Sequence, residues 1–576
     1  MNFRQVHLDF HTSEKIPGIG SNFSKEQFQA ALKTGHVNSI TVFSKCHHGW
    51  AYHPSTANEM HPGLSFDLLE AEIEAAHEIG VKTPVYISAG FDEKISRRHP
   101  EWLRRPEPND TVNWITPQFH ELCMNTPYLD YLLAQIEEVV QKYDCDGIFL
   151  DIVGVRTCYC QHCVQTLLDE GKDPYDEKNA AELGERVYLN YTRRVREAID
   201  KYKPGLPVFH NGGHIRKNKR ELAYCDSHLE LESLPTGGWG YDHFPLSSSY
   251  ARTLGLDFLG MTGKFHMSWG EFGGFKHPNA LRYEEALCVA NGAKCSIGDQ
   301  MHPDGHMDET TYSLIGAAYS EVEAKEPWLD GVESVADIAV LSQEAVMNYF
   351  EDDASRTCID YRGDDGVVRV LLEGHFLFDF IDTLEPLDKY KLVILPDTEE
   401  IDDKLSAKLK AFTEKGGKVL ASGRSGLIRG TNDFAFSLDR VRRSAALAPV
   451  ESQFCTRLRM VHGHGAPGEA PAEILAFADH FARGAADIIR VTSTKLEGNT
   501  LRVKYTAGAR KVARAELLYT KEGAQKVWHE RLWQAQSVPV TADAICVALP
   551  EGTYQATLNL ISEEGLITSS RLVTVQ

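Results

Sequence analysis

The feature that most constrains this chain is an eightfold alternation. Eight short β-branched or apolar runs, at residues 6–11, 38–45, 83–88, 147–153, 206–211, 228–232, 258–263 and 294–299, are separated by longer segments with apolar residues at three- and four-residue spacing, as in 68–79 and 128–140. That rhythm predicts a (β/α)8 TIM barrel, a fold whose chemistry sits on the rim formed by the strand ends and the loops after them. Nearly every run here ends in a polar cluster.

The chain has 576 residues, more than one barrel uses. From about residue 336 the pattern becomes that of an open, Rossmann-like parallel α/β unit, with strands expected at 338–341, 367–371, 392–395 and 419–422 and a helix at 405–413. No GxGxxG follows a strand, so a nucleotide role has no support. A Gly-, Ala- and Pro-rich stretch at 463–471 precedes a tail with alternating strands expected at 501–505, 516–519, 554–560 and 570–575, a small β-sandwich. The expected domains are 1–332, 333–484 and 485–576.

A net charge of −22 excludes a polyanionic partner, so no nucleic acid is expected. No apolar run approaches the ~20 residues of a membrane helix, and residues 1–9 are charged where a signal peptide is apolar, so a cytoplasmic protein without membrane contact is expected. Twelve cysteines are too sparse for a disulfide scaffold.

Two strand ends carry the chemistry. In "CDGIFLDIVG" an apolar run terminates at Asp151; in "SHLELESLPTGGWGYD" His228, Glu230 and Glu232 share one face, because strand side chains alternate with period two. Glu232 lies nearest the rim and is the better acid/base; Glu230 lies deeper, holding a His or Arg. Asp151 and Glu232 together offer a nucleophile and a proton donor, which a retaining glycosidase holds roughly 5–5.5 Å apart. His7, Asp9 and His11 alternate on the first strand. His47, His48 and Trp50 follow the second, His210 and Asn211 end the fifth, and Trp239, Tyr241, Trp269, Glu271, Asp299 and His302 follow the last three. Neutral hydrogen-bonding groups beside aromatic faces suit a polyhydroxylated ring, which makes a small carbohydrate the expected substrate.

The stretch "VNSITVFSKCHHGWAYHPS" resembles the second-strand motif of family 29 α-L-fucosidases, matching Lys45, His47, His48, Gly49 and Trp50, although Cys46 is inserted and an Asp is missing. The domain order and the stretches "GIFLDIV" and "ELESLPTGGWGYDHFP" are more similar to family 151 α-L-fucosidases. That resemblance implies a retaining exo-acting α-L-fucosidase with Asp151 as nucleophile and Glu232 as acid/base, and sugar contacts from His11, His47 and His48. The middle domain resembles the trimerisation domain of family 42 β-galactosidases, which implies a homo-oligomer, trimer or dimer, and keeps a galactosidase as the alternative activity.

"RTCYCQHCVQ" supplies Cys158, Cys160 and Cys163 just past Asp151, and Cys123 precedes the helix before that strand. Four thiolates would suit a structural zinc; reduced thiols packed in a loop are the other reading. Family 42 β-galactosidases carry a similar cluster. No cofactor is expected for catalysis. A metal-dependent amidohydrolase is disfavoured, since His7 and His11 stand about 13 Å apart along a strand. A non-catalytic carbohydrate-binding protein has no need of both Asp151 and Glu232.

Overall fold

The computed structural model describes residues 2–271, 273–350, 362–397, 399–431, 472–523 and 531–575, in two compact units. The first is built on eight parallel strands: β1 (Arg4–Asp9), β2 (Ser39–Lys45), β3 (Pro84–Ser88), β4 (Gly147–Asp151), β5 (Val208–Asn211), β6 (Leu229–Glu232), β7 (Phe258–Gly263) and β8 (Lys294–Gln300). Their ladder runs β5-β4-β3-β2-β1-β8-β7-β6. Its two end strands meet where the Ser227 N–H donates to the Val208 carbonyl at 2.9 Å, so the sheet curls into a nearly closed barrel.

Helices cover the outside of the sheet, which is why β1, β2, β4 and β7 are buried along their whole length. The helix Tyr128–Lys142 shows how the sequence achieves this: Leu129, Leu132, Leu133, Ile136, Val139 and Val140 form one buried stripe. Side-chain oxygens of Ser24, Asp67, Asp92 and Asp308 accept backbone N–H groups at helix starts.

Inside the barrel, Phe43, Tyr86 and Phe149 lie in register on neighbouring strands. The Phe43 and Tyr86 rings stack at 3.8 Å, and His7 meets Phe149 edge-on at 4.9 Å. This aromatic layer is the floor beneath the rim.

The second unit contains a parallel sheet of β9 (Ile338–Leu341), β10 (Phe378–Ile381), β11 (Leu392–Leu395) and β12 (Lys418–Ala421), in the order β10-β9-β11-β12. The strand expected at 367–371 is instead part of the helix Arg362–Glu373, and the strand is Phe378–Ile381. The β-branched run misleads because its buried residues Asp364, Val368 and Leu371 recur at helical spacing, with Arg369 and Glu373 paired i,i+4 on the exposed side. Two antiparallel sheets follow, of three and five strands, and Leu501, Val503, Ile545, Leu517 and Leu558 from both bury one apolar core. Among the described residues no helix is long and apolar enough to cross a membrane.

Candidate active site

Asp151 ends β4, in register with Ser88 on β3 and Asn211 on β5. Side chains in register on parallel strands share a face, so all three point into the mouth of the barrel. The Tyr86 hydroxyl donates to Asp151 Oδ2 at 2.6 Å, and Asn211 Nδ2 donates to Oδ1 at 2.8 Å. Two donors to a nine-tenths buried carboxylate fix its rotamer and satisfy both of its oxygens. The backbone is clamped too: the Asp151 carbonyl accepts from the N–H groups of Ala89 and Gly90 at 3.1 and 3.0 Å. Ile152, next in the chain, has φ +58°, which a β-branched residue adopts only when its surroundings impose it.

Across the barrel, β6 presents Glu230 and Glu232 inward. Glu230 is the deeper, accepting from Gln5 Nε2 at 3.1 Å and paired with His228 Nε2 at 3.0 Å. Among the described residues no side chain hydrogen-bonds the Glu232 carboxyl. Burial, followed by the negative charges of Asp151 and Asp9, pushes it up to about 7. One carboxyl is therefore tied down by hydrogen-bond donors while the other holds its proton up to the neighbourhood of pH 7, the division of roles that acid-assisted displacement needs.

His47 stands over Asp151 with Nε2 3.9 Å from Oδ2. Its Nδ1 lies 2.6 Å from Ser88 Oγ, and that hydroxyl donates to the Phe91 carbonyl at 2.8 Å. Ser88 must then accept from His47 Nδ1–H, leaving the Nε2 lone pair facing the mouth. Burial and the positive charge of His11, whose ring is 4.3 Å away, hold His47 well below the usual histidine range, so it is neutral. His11 takes the opposite state: although burial opposes it, its contacts with Asp9 and Cys46 raise it to about 10. Asp9 lies between His11 and His7, at 3.6 and 3.5 Å, and also accepts from Trp269 Nε1, whose ring fills the space above Gly298. The His47–Trp50 loop is fastened from below by the buried Lys45–Asp92 pair at 3.0 Å. Gly49 adopts φ +93°, and any Cβ there would strike Asp92.

Asp151, Glu232, Glu230, Asn211, His47, His11 and Trp269 thus form one connected mouth. His48 flanks it, half-exposed, against the Phe119 ring at 5.0 Å. Trp50, Trp239, Tyr241 and Glu271 lie in the rim loops but contact Lys94, His243, Glu284 and the Met267 backbone N–H respectively. Two expected sugar contacts are corrected. His210 faces outward beneath the helix Glu177–Asp200, with Nδ1 3.0 Å from the Tyr191 hydroxyl, because Asn211 takes the inward position and neighbours on a strand cannot share a face. Asp299 is in register with Leu8 on the outer face of β8 and lies near Tyr312. Tyr86 and Ser88 were not anticipated; the signal was polar side chains at period two at the end of β3.

A cavity of about 470 Å³ at the β5–β6 seam is lined by Asn211, Gly213, His214, Glu230, Glu232 and His243. A second, of about 510 Å³, is walled by Ile152, Val153, Arg156 and Tyr188 together with Cys158 and Cys163. Those cysteines belong to a buried cluster with Cys123 and Cys160 in which every sulfur lies within 4.8 Å of the others. The Cys123–Cys163 separation of 3.5 Å is far longer than a disulfide and near the ~3.8 Å edge of a tetrahedron with 2.3 Å Zn–S bonds. Backbone N–H groups of Arg105, Asn125 and Cys160 point at the sulfurs, as stabilised thiolates require. The donor set fits zinc.

Residues 24–152 match the family model described as hypothetical glycosyl hydrolase 6, and residues 369–437 match the β-galactosidase trimerisation domain. No curated protein matches. Among solved structures, α-L-fucosidase isoenzyme 2 from Paenibacillus thiaminolyticus is 41% identical, with a TM-score of 0.76, and the match covers 100% of this chain and 98% of that one. The β-galactosidases from Bacillus circulans sp. alkalophilus (12% identical, TM-score 0.62, 94% and 98% covered) and Halorubrum lacusprofundi (14%, 0.61, 95% and 99%) share the fold. Full-length identity at this level makes the chain a glycoside hydrolase belonging to the α-L-fucosidase family of the Paenibacillus isoenzyme.

Proposed function

We propose that the chain is a retaining, exo-acting α-L-fucosidase that releases a terminal fucose through a covalent glycosyl intermediate on Asp151. The observation that carries this reading is the contrast between the two carboxyls: Asp151 receives two hydrogen bonds, and Glu232, without a side-chain partner among the described residues, is pushed up to about 7. Asp151 attacks the anomeric carbon while Glu232 protonates the departing oxygen. Glu232 then takes a proton from water as that water displaces the sugar from Asp151. The Nε2 lone pair of neutral His47 accepts from a sugar hydroxyl, and cationic His11 donates to another. The full-length similarity to an α-L-fucosidase supports the choice of sugar.

The four cysteines would hold a structural zinc, which keeps the 158–163 loop folded beside Ile152 and takes no part in bond cleavage. The match to a trimerisation domain supports a homo-oligomer, and free thiols support a reducing, cytoplasmic setting. A panel of 4-nitrophenyl glycosides, with proton NMR of the first-formed sugar, tests the proposal. Hydrolysis of the α-L-fucoside with the α-anomer appearing first is expected. Preference for the β-D-galactoside, or first release of the β-anomer of fucose, overturns it.

A further inference from the structure

We propose that His302, Asp304 and His306, in the loop after β8, form a binding site for a first-row divalent transition-metal ion, separate from the cysteine cluster and from the carboxyl pair. The three residues alternate along the chain, and Gly305 at φ +93° turns it so that both imidazoles reach the carboxylate between them. A Cβ on Gly305 would come within 3.0 Å of Gly20 and Phe23, so this turn is held against the loop after β1. Backbone hydrogen bonds from Gly20 N–H to the Pro303 carbonyl (3.0 Å) and from Asn22 N–H to the Asp304 carbonyl (2.7 Å) fasten the two loops together.

The donor atoms already converge. His302 Nδ1 lies 2.9 Å and His306 Nδ1 2.6 Å from the same Asp304 oxygen, Oδ1, and the two rings stand 4.6 Å apart. Neighbouring ligands ~2.1 Å from a six-coordinate ion are separated by about 3.0 Å, close to these edges. The other carboxylate oxygen, Oδ2, accepts from Asn22 Nδ2 at 2.8 Å, the kind of outer contact that orients a ligating carboxylate. Two imidazoles and one carboxylate select zinc, nickel, cobalt or copper over calcium and magnesium. The histidine side chains are half-exposed, so the ion's remaining positions face solvent and an entry path is open. His302 Nδ1 accepts from the Asp304 backbone N–H at 3.3 Å, so its lone pair is already on the ligand side, whereas His306 directs its Nδ1 proton at Oδ1 and carries it on Nε2 when an ion binds.

Calorimetric titration of the full chain with Ni²⁺, after a single equivalent of Zn²⁺ has been supplied for the tighter four-thiolate cluster and unbound or weakly held zinc has been removed by gel filtration, tests the site. Wild type is expected to take up one equivalent that both the His302→Ala/His306→Ala double variant and Asp304→Asn lose, or bind at least tenfold more weakly, while Cys158→Ser retains it. Asp304→Asn preserves side-chain shape and guards against a folding defect in the double variant. Equal Ni²⁺ stoichiometry and affinity in wild type and both loop variants would overturn the assignment, as would the absence of any Ni²⁺ uptake by wild type.

Discussion

Tyr86 donates its hydroxyl hydrogen to Oδ2 of Asp151 at 2.6 Å from the adjacent strand, within the aromatic layer that closes the barrel floor. Burial and the Asp151 charge keep that phenol well above its ordinary range, so it remains a donor throughout the working pH range. Tyr86→Phe keeps the ring packing and removes one of two donors. A loss of about 1–2 kcal/mol in transition-state positioning, or roughly 5–30-fold in kcat with KM little changed, is expected. Steady-state kinetics on an aryl fucoside measures it, and unchanged kcat would separate Tyr86 from the chemistry.

Asp151→Asn should retain the fold, because both donors can still meet the amide oxygen or reorient. Turnover should fall on the order of 10³-fold or more, and added azide should restore part of it by replacing the missing nucleophile. Near-wild-type turnover in the folded variant would remove Asp151 from the mechanism.

The acid/base assignment has a pH signature. Glu232 is pushed up to about 7, so the protonated, proton-donating form is lost as pH rises through that value. The alkaline limb of kcat/KM is expected near pH 7. Glu232→Ala should remove the limb and depress substrates with poor leaving groups far more than activated aryl fucosides. The same signature from Glu230→Ala, and its absence from Glu232→Ala, reverses the two roles.

Asp299 offers a test of stability separate from catalysis. Burial raises it to about 7 from an ordinary 3.8, so folding retains a proton that the unfolded chain releases. Its contribution to stability is complete below pH 4 and is lost as pH rises to 7. Asp299→Asn is expected to gain melting temperature relative to wild type steadily between pH 4 and 7 and then level off, with kcat within twofold of wild type at each pH. A constant difference in melting temperature across that range would contradict the buried, outward-facing placement.

Chelation should separate structure from chemistry at the cysteine cluster. Stripping the proposed zinc is expected to lower thermal stability and leave turnover at moderate temperature intact, because three of the four cysteines, Cys123, Cys158 and Cys163, wall the cavity behind Ile152 and none of the four contacts Asp151 or Glu232. Immediate loss of activity on chelation, with reversal by a divalent ion and no change in fold, would require a metal-dependent mechanism.

The sequence by itself determined the barrel, because eight strand–helix alternations admit few other closures, and it singled out Asp151, Glu230 and Glu232 as inward-facing carboxyls, because an acidic residue ending an apolar strand and two at period two are local signals. It also marked the four cysteines, three of them on one short loop. Which neighbour on a strand faces inward was decided only by tertiary register. Asn211 and His210 compete for one inward place, and the pairing of β5 with β4 gives it to Asn211 beside Asp151. Asp299 and Gly298 compete likewise, and Trp269 takes the space that only glycine leaves open. The strand expected at 367–371 became a helix because its burial follows helical spacing despite β-branched residues. The charge states of the mouth were also out of reach of the sequence: adjacent segments supply neutral His47 and cationic His11, and only the packing of Asp9, Cys46 and Ser88 against them sets the two apart. Periodicity is encoded locally, whereas register and electrostatics arise from strands that meet across the barrel.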